Sequence, residues 1–183
     1  MLSSTPTTAA AVDVLAAAFA DDPLTRWLLP GDLAGAAEEV GYGPLVAASA
    51  AHGELALSAD GAAVAVWLPG AAEPADDPPP IPDELARLRA FLELTGARHP
   101  TGAAHLYLVL LGVRPEAQGR GLGGALLRER LARADAEGLP AYLEATSRRS
   151  RALYQRHGFR DHGPPVHLPD GPALWPMWRP TPS

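Results

Sequence analysis

The chain contains no cysteine, no lysine and no asparagine, and only one isoleucine, Ile81. The missing thiols exclude a disulfide framework, a thiolate metal site and a cysteinyl covalent intermediate, and they suit a reducing, cytoplasmic setting. The missing lysine excludes the G-x-x-x-x-G-K-[ST] phosphate loop. No run reaches the roughly 20 apolar residues of a membrane span, and the opening MLSSTPTT has no basic start of a secretory signal. The six histidines follow no metal-ligand spacing, so no metal is expected. Ala, Arg, Gly and Pro fill the gaps, as codon bias in a G- and C-rich gene would produce. An Asn expected at a site can therefore be replaced for compositional reasons.

With 183 residues, 47% apolar and 20% charged, the chain reads as one globular domain over 1–183 with a single core. Its formal charge of −6 is unevenly spread. Residues 1–103 carry 4 Arg against 14 acids, and residues 104–183 carry 11 Arg against 7. Either the split is a surface accident, or the basic half holds an anionic ligand and the acidic half attracts a cation. A pI near 5.4 disfavours nucleic acid as a partner.

Apolar spacing predicts a helix over Thr8–Ala20, a short one capped by Asp22-Pro23 and running to Trp27, and a long one over Asp32–Ala51. Glu54–Leu57 and Ala62–Leu68 read as a hairpin around Ala59-Asp60-Gly61, and the proline-rich stretch Pro69–Pro82 as a loop. A helix over Asp83–Gly96 precedes His105–Val113, an apolar run expected to be a central strand buried on both faces. Then come a helix over Gly121–Glu137, a strand at Ala141–Ala145, a helix over Arg148–His157, and strands near Pro165–Leu168 and Ala173–Trp178. The plan is α+β, or mixed α/β.

The stretch from Leu110 to Leu127 is a strand, a short loop, and glycines opening a helix. Free N–H groups at such a helix start bind pyrophosphate, and Gly119, Gly121, Gly123 and Gly124 would let it approach the backbone. The plain alternative is a turn whose glycines serve close packing. Gly119, Gly121 and Gly124 also satisfy G-x-G-x-x-G, with Glu144 twenty residues on. Against a dinucleotide fold, only 39 residues follow Glu144, and the first half has no βαβ alternation.

Val113-Arg114-Pro115-Glu116-Ala117-Gln118-Gly119-Arg120-Gly121-Leu122-Gly123, followed by Ala141–Thr146 and Ala152–Phe159, resembles the GCN5-related N-acetyltransferase (GNAT) superfamily. AAAFADDP (Ala16–Pro23), DGAAVAVW (Asp60–Trp67), GLPAYLEA (Gly138–Ala145) and the closing PDGPALWPMWRP (Pro169–Pro180) are similar to its puromycin N-acetyltransferase-like members. The resemblance implies a mostly antiparallel mixed sheet flanked by helices, with a cofactor cleft between two splayed central strands. It implies acetyl-CoA lying along the backbone of Leu111, Gly112 and Val113, with pyrophosphate on Gln118, Gly119, Arg120, Gly121, Leu122, Gly123 and Gly124. Ser147 and Ser150 stand where relatives carry Asn ahead of the tyrosine, so the polar contact to the CoA arm falls to them.

The same resemblance makes Tyr154 the general acid for the departing thiolate, the plain alternative being a tyrosine that packs its ring. Glu144 is the candidate base, directly or through a water, or else a structural hydrogen-bond acceptor; strand alternation sets it on one face with Tyr142. Asp22, Trp27, Trp67 and Tyr142 are candidate acceptor-site residues, although Asp22 also serves as a helix cap and the tryptophans could be core. Asp22 replaces a tyrosine of the puromycin enzymes, so their substrate does not carry over. The expected activity is acetyl-CoA-dependent N-acetylation of a small-molecule amine, an aminonucleoside or antibiotic-like one being a candidate, in a monomer or homodimer. Two alternatives are a catalytically inactive acyl-CoA-binding sensor and, more remotely, a dinucleotide-binding protein.

Overall fold

The computed structural model describes residues 6–29, 41–70, 81 and 83–182. In chain order these form α1 (Pro6–Phe19), α2 (Pro23–Leu28), α3 (Gly43–Ala51), β1 (Leu55–Leu57), β2 (Ala63–Gly70), α4 (Ala86–Gly96), β3 (His105–Val113), α5 (Leu122–Glu137), β4 (Ala141–Ala145), α6 (Arg148–Arg156), β5 (Arg160–Asp161), β6 (Val166–His167) and β7 (Ala173–Arg179). The sheet order is β1-β2-β3-β4-β7-β5, with β6 paired to β7. Among the described residues only β3 and β4 run parallel; every other pair is antiparallel. This is the mixed, mostly antiparallel sheet expected, and it excludes a doubly wound dinucleotide fold, which needs successive parallel strands.

The N-terminal helix buries Ala11, Val14 and Leu15, with Ala18 against Gly112. The spacing is helical, but the stripe sits one residue away from Val12 and Phe19, which lie at its margins. Gly112 is what lets α1 approach: a Cβ there would stand 3.1 Å from Leu15 Cδ2 and 3.2 Å from the Ala18 Cβ. Of the long helix expected over Asp32–Ala51, residues 32–40 lie outside the described residues, and α3 begins at Gly43. Most of the proline-rich loop, residues 71–80 and 82, lies outside them too. Its first two residues correct the expectation, because Pro69 and Gly70 continue β2 opposite Leu106 and His105. A proline is tolerated there because β1 ends opposite Val66, so no described residue pairs with β2 at Pro69 on that edge.

Two layers of side chains cover the sheet. On one face α5 lays Leu126, Leu127, Leu131 and Ala134 onto Ala63, Ala65, Leu106, Leu108, Leu143 and Met177. Its buried surface also takes in Arg130, 4% exposed, whose guanidinium grips the Glu54 carboxylate at 2.5 and 2.9 Å. Pairing lets a buried charge be tolerated. On the other face α1 and α3 cover Val64, Val66 and Leu110. A third cluster joins Trp27 of α2 to Val166, Leu168 and Leu174. β3 departs from full burial on both faces: Val109–Leu111 and Val113 are only half-buried.

Candidate active site

Strands β3 and β4 pair over only three residues each, Leu106–Leu108 against Ala141–Leu143. Beyond Leu108 and Leu143 the two strands have no pairing with each other, so the β4-facing edge of β3 is open from Val109 onward. The cause is local. Trp67 of β2 stands opposite Leu108 while Val66 stands opposite Leu110, so Val109 is an extra residue in the ladder. Such a bulge bends its strand and steepens the twist. Leu111, Gly112 and Val113 hold their antiparallel partners Ala65, Val64 and Ala63 on the other side. They therefore form one wall of a wedge.

At the mouth of the wedge the chain turns through Pro115–Ala117 into α5. Gly119 and Gly121 have φ of 79° and 82°, in the left-handed region that only glycine enters without penalty. A Cβ at either would meet nothing within 4 Å, so both backbones face open space. Gly123 and Gly124 play another part: their Cα positions lie against Leu111 and Val113, and against His157, within 3.4–3.6 Å of an added Cβ. Leu122 packs on the core. Gln118 donates to the Val113 carbonyl at 3.3 Å and accepts from Arg149 at 3.4 Å, tying loop to strand and to α6. Arg120 is exposed, 3.8 Å from Asp60.

Around Glu144 the structure gathers residues that the sequence does not pair. Parallel register sets Tyr107 of β3 beside Tyr142 of β4, and the Tyr107 hydroxyl donates to Glu144 Oε2 at 2.8 Å. Burial pushes the Glu144 carboxyl pKa above its ordinary value, and the Tyr107 and Tyr142 hydroxyls pull against that shift. The pKa values of both tyrosines rise, first through burial and then through the Glu144 charge. The Tyr142 hydroxyl lies near enough to the carboxylate to lower its pKa, but neither that hydroxyl nor the buried Glu144 Oε1 makes a hydrogen bond of normal geometry with a described residue.

Next to this trio lie His99 and His105, with Nε2 atoms 3.0 Å apart. His105 Nδ1 lies 3.0 Å from the Ala103 carbonyl, which can only accept, so Nδ1 carries the proton. A hydrogen bond between the two Nε2 atoms then runs from His99 Nε2–H to His105 Nε2 when His105 holds a single proton. Burial, then the His105 ring, lowers the His99 pKa to about 4. The His99 ring meets the edges of Tyr107 and Tyr142, each 4.9 Å away. Outside this layer a cavity of about 400 Å³ is bounded by Arg98, His99, Thr101, His162 and Trp178, among others.

Tyr154 of α6 sits apart from Glu144. It is 8% exposed and belongs to the cluster holding Leu143 and Ala145, the β4 residues that alternate with Tyr142 and Glu144. Burial raises its pKa, and its ring lies 6.0 Å from that of Phe159. Tyr154 and Glu144 thus flank β4 from opposite faces. Ser147 and Ser150 form a capping box on α6, Ser147 Oγ accepting from Ser150 N at 3.0 Å and Ser150 Oγ from Ser147 N at 3.1 Å.

Three acceptor-site candidates stand elsewhere. Trp67 is fully buried in the α5-side core. Trp27 donates to the Pro169 carbonyl at 2.9 Å within the third cluster. Asp22 caps α2 by accepting from Thr25 N at 3.0 Å. Tyr142 alone of the four lies with Glu144. Tyr107 and His105 follow from the His105-x-Tyr107 and Tyr142-x-Glu144 alternations only once the strand register is known, and His99, in the loop before β3, follows from no periodicity at all. No helix among the described residues is long and apolar enough to cross a membrane.

Residues 82–159 match the acetyltransferase (GNAT) family. A mycothiol acetyltransferase of Streptomyces avermitilis is 42% identical over 64 residues, a stretch covering 33% of this chain and 20% of that protein. The chain thus spans only a fifth of the length of this curated relative. The fold matches a Corynebacterium glutamicum crystal structure described as histone acetyltransferase HPA2 and related acetyltransferase, with 27% identity, a TM-score of 0.64, and 100% and 96% of the two chains covered. It also matches a polyamine N-acetyltransferase of Drosophila melanogaster, with 19% identity, a TM-score of 0.62 and 94% of each chain covered. Residues 82–159 are thus similar to the GNAT acetyltransferase family, and the described chain has the fold of the acetyltransferase structures it matches.

Proposed function

We propose that this chain acts as one GNAT-family domain that transfers the acetyl group of acetyl-CoA to the amine of a small molecule, by direct attack in a ternary complex. The observation that carries the reading is the wedge between β3 and β4, opened beyond Leu108 and Leu143 beside a glycine-rich helix start. Acetyl-CoA supplies an activated thioester. The open edge of β3 at Val109–Val113 offers backbone groups to its arm, and the uncovered backbones of Gly119 and Gly121 at the start of α5 offer the N–H groups that a pyrophosphate needs. Gln118 and Arg120 border that cradle. The polar contact expected of Ser147 and Ser150 competes with their own capping box.

Glu144 is the group on one face of β4 able to take the acceptor's proton, because burial brings its carboxyl toward the range useful to a base. Tyr154 lies on the other face, protonated and able to return a proton to the departing sulfur. No cysteine is present to hold the acetyl group, so the acid and base act on one adduct. A small acceptor is favoured by the enclosed, aromatic setting of Glu144 and by fold neighbours such as the polyamine enzyme. An aminonucleoside or antibiotic-like amine in a cytoplasmic enzyme is the specific case we favour.

The test is thermal and kinetic. Acetyl-CoA should raise the melting temperature by mass action, and Gly121→Val, which forces a β-branched residue to φ 82° and covers the cradle, should abolish the shift. Initial rates across a panel of aminonucleosides, aminoglycosides, polyamines and aryl amines should give intersecting plots. Parallel lines, or a preference for peptide N-termini over every small amine, would overturn the reading.

A further inference from the structure

We propose that Tyr107 is a positioning residue for acetyl transfer: it holds Glu144 by Oε2 and leaves Oε1, beside the Tyr142 hydroxyl, as the oxygen that accepts the acceptor's proton. The inference rests on the reading of Glu144 as base and specifies how that base is aimed. The two carboxylate oxygens are not equivalent. Oε2 accepts from Tyr107 at 2.8 Å, whereas Oε1 has no partner among the described residues although it is buried. The Tyr142 hydroxyl is in the same condition, with its side chain fully inaccessible.

Buried polar atoms without partners are uncommon. Two of them, from alternate residues on one face of β4 and opposite Tyr154, mark where a polar atom of a ligand, or a water bound with it, would find partners. In the step itself an N–H bond of the attacking amine breaks and an O–H bond forms at Oε1, directly or through that water. The nitrogen lone pair forms the C–N bond to the acetyl carbon, the C–S bond breaks with its electron pair going to sulfur, and the sulfur takes the Tyr154 proton. The Tyr154 phenolate then regains a proton and Glu144 loses one to solvent, which resets both groups.

The surroundings make Tyr107 a fixed donor. Burial and the Glu144 charge raise its own pKa far above its ordinary value, so it keeps its proton wherever the base works. The other groups facing the carboxylate do not compete for Oε2. Tyr142 lies on the same strand, and Arg98 acts from the loop after α4 on Tyr142. His99 is neutral above about 4 and donates to His105, His162 lies beyond Tyr142 at 6.3 Å ring to ring, and β7 brings Pro176 opposite Glu144.

The experiment is a ¹³C-carboxyl NMR titration of Glu144 in the full chain, assigned with Glu144→Gln and repeated in Tyr107→Phe, beside pH profiles of kcat/KM. Losing the hydrogen bond that favours the carboxylate should move the midpoint to higher pH in Tyr107→Phe and carry the acid limb of kcat/KM with it. Activity below that limb should fall roughly threefold to tenfold, with the KM for acetyl-CoA unchanged. Adding Tyr107→Phe to Glu144→Gln should cost nothing further, since a positioning residue has nothing left to aim. An unmoved midpoint in an active enzyme, or an undiminished Tyr107→Phe penalty in the double variant, overturns the assignment and leaves acetyl transfer standing. A wild type that releases no CoA with any amine overturns acetyl transfer itself, and the role of Oε1 with it.

Discussion

Strands β3 and β4 present opposite chemistry on their two faces. Toward α5 they send Leu106, Leu108, Leu143 and Ala145 into an apolar core; on the other face His105, Tyr107, Tyr142 and Glu144 form a polar layer with His99. The backbone, the register and the residue count are shared, so the difference lies wholly in alternation. One face holds the strands together, and its value is the apolar area it buries. The other buries a carboxylate whose desolvation opposes folding and is only partly offset by Tyr107, an arrangement typical of functional sites.

The comparison breaks most readily at the two proton-bearing groups. Glu144→Gln and Tyr154→Phe should each lower turnover by roughly 10²–10⁴-fold, the range for losing a general base or acid, while leaving the melting temperature close to wild type. Glu144→Gln should also remove the acid limb of the rate profile. Variants that turn over normally would reduce both residues to packing. Leu143→Ala, one position along β4, should do the reverse. Its side chain is 1% exposed in the α5-side cluster, so truncation should cost about 2–5 kcal/mol, read by urea denaturation, with kcat little changed in what remains folded.

The two faces were unequally legible in the sequence. β3 and β4 were expected at the residues where they occur, because an apolar run between turn residues survives any register. So were the glycine turn and α5, whose ends are fixed by Gly121 and Gly138 in left-handed conformation. The polar layer was not. Glu144 and Tyr142 drew notice as a same-face pair, but Tyr107 comes from another strand, and only the parallel register of Leu106 with Ala141 brings it in. His99 comes from a loop before β3, where no periodicity applies. Trp67 misled for a related reason: an aromatic on a strand reads alike on either face, and only its alternation with Ala63 and Ala65, which α5 covers, sets it in the core.

A pH series sharpens the comparison by a smaller amount. His99 is neutral in the folded protein down to about pH 4, whereas an unfolded histidine takes up its proton near 6.5. Between those values the unfolded chain binds the extra proton, so stability falls as pH drops from about 6.5 to 4. Half-burial discounts the effect to roughly 1–3 kcal/mol. His99→Gln should flatten the melting temperature over that window and leave the alkaline side untouched. A slope identical to wild type would assign the acid sensitivity to other groups.

The smallest effect separates capping from cofactor contact at the start of α6. Ser147 satisfies the Ser150 amide and receives the reciprocal bond, so Ser147→Ala removes an N-cap and should cost about 1 kcal/mol. If the box is the serines' only task, the stabilisation that acetyl-CoA gives should be the same in Ser147→Ala as in wild type, since α6 is also held against β4 by Tyr154 near its far end. If instead Ser147 stands in for the asparagine of relatives and reaches the CoA arm, the ligand-induced shift should shrink by more than the cap's own cost explains. Ser147→Asp distinguishes the two cleanly. Aspartate caps a helix as well as serine does, so it should restore stability, but it sets a negative charge beside a phosphate-bearing ligand and should weaken acetyl-CoA only if the ligand passes there.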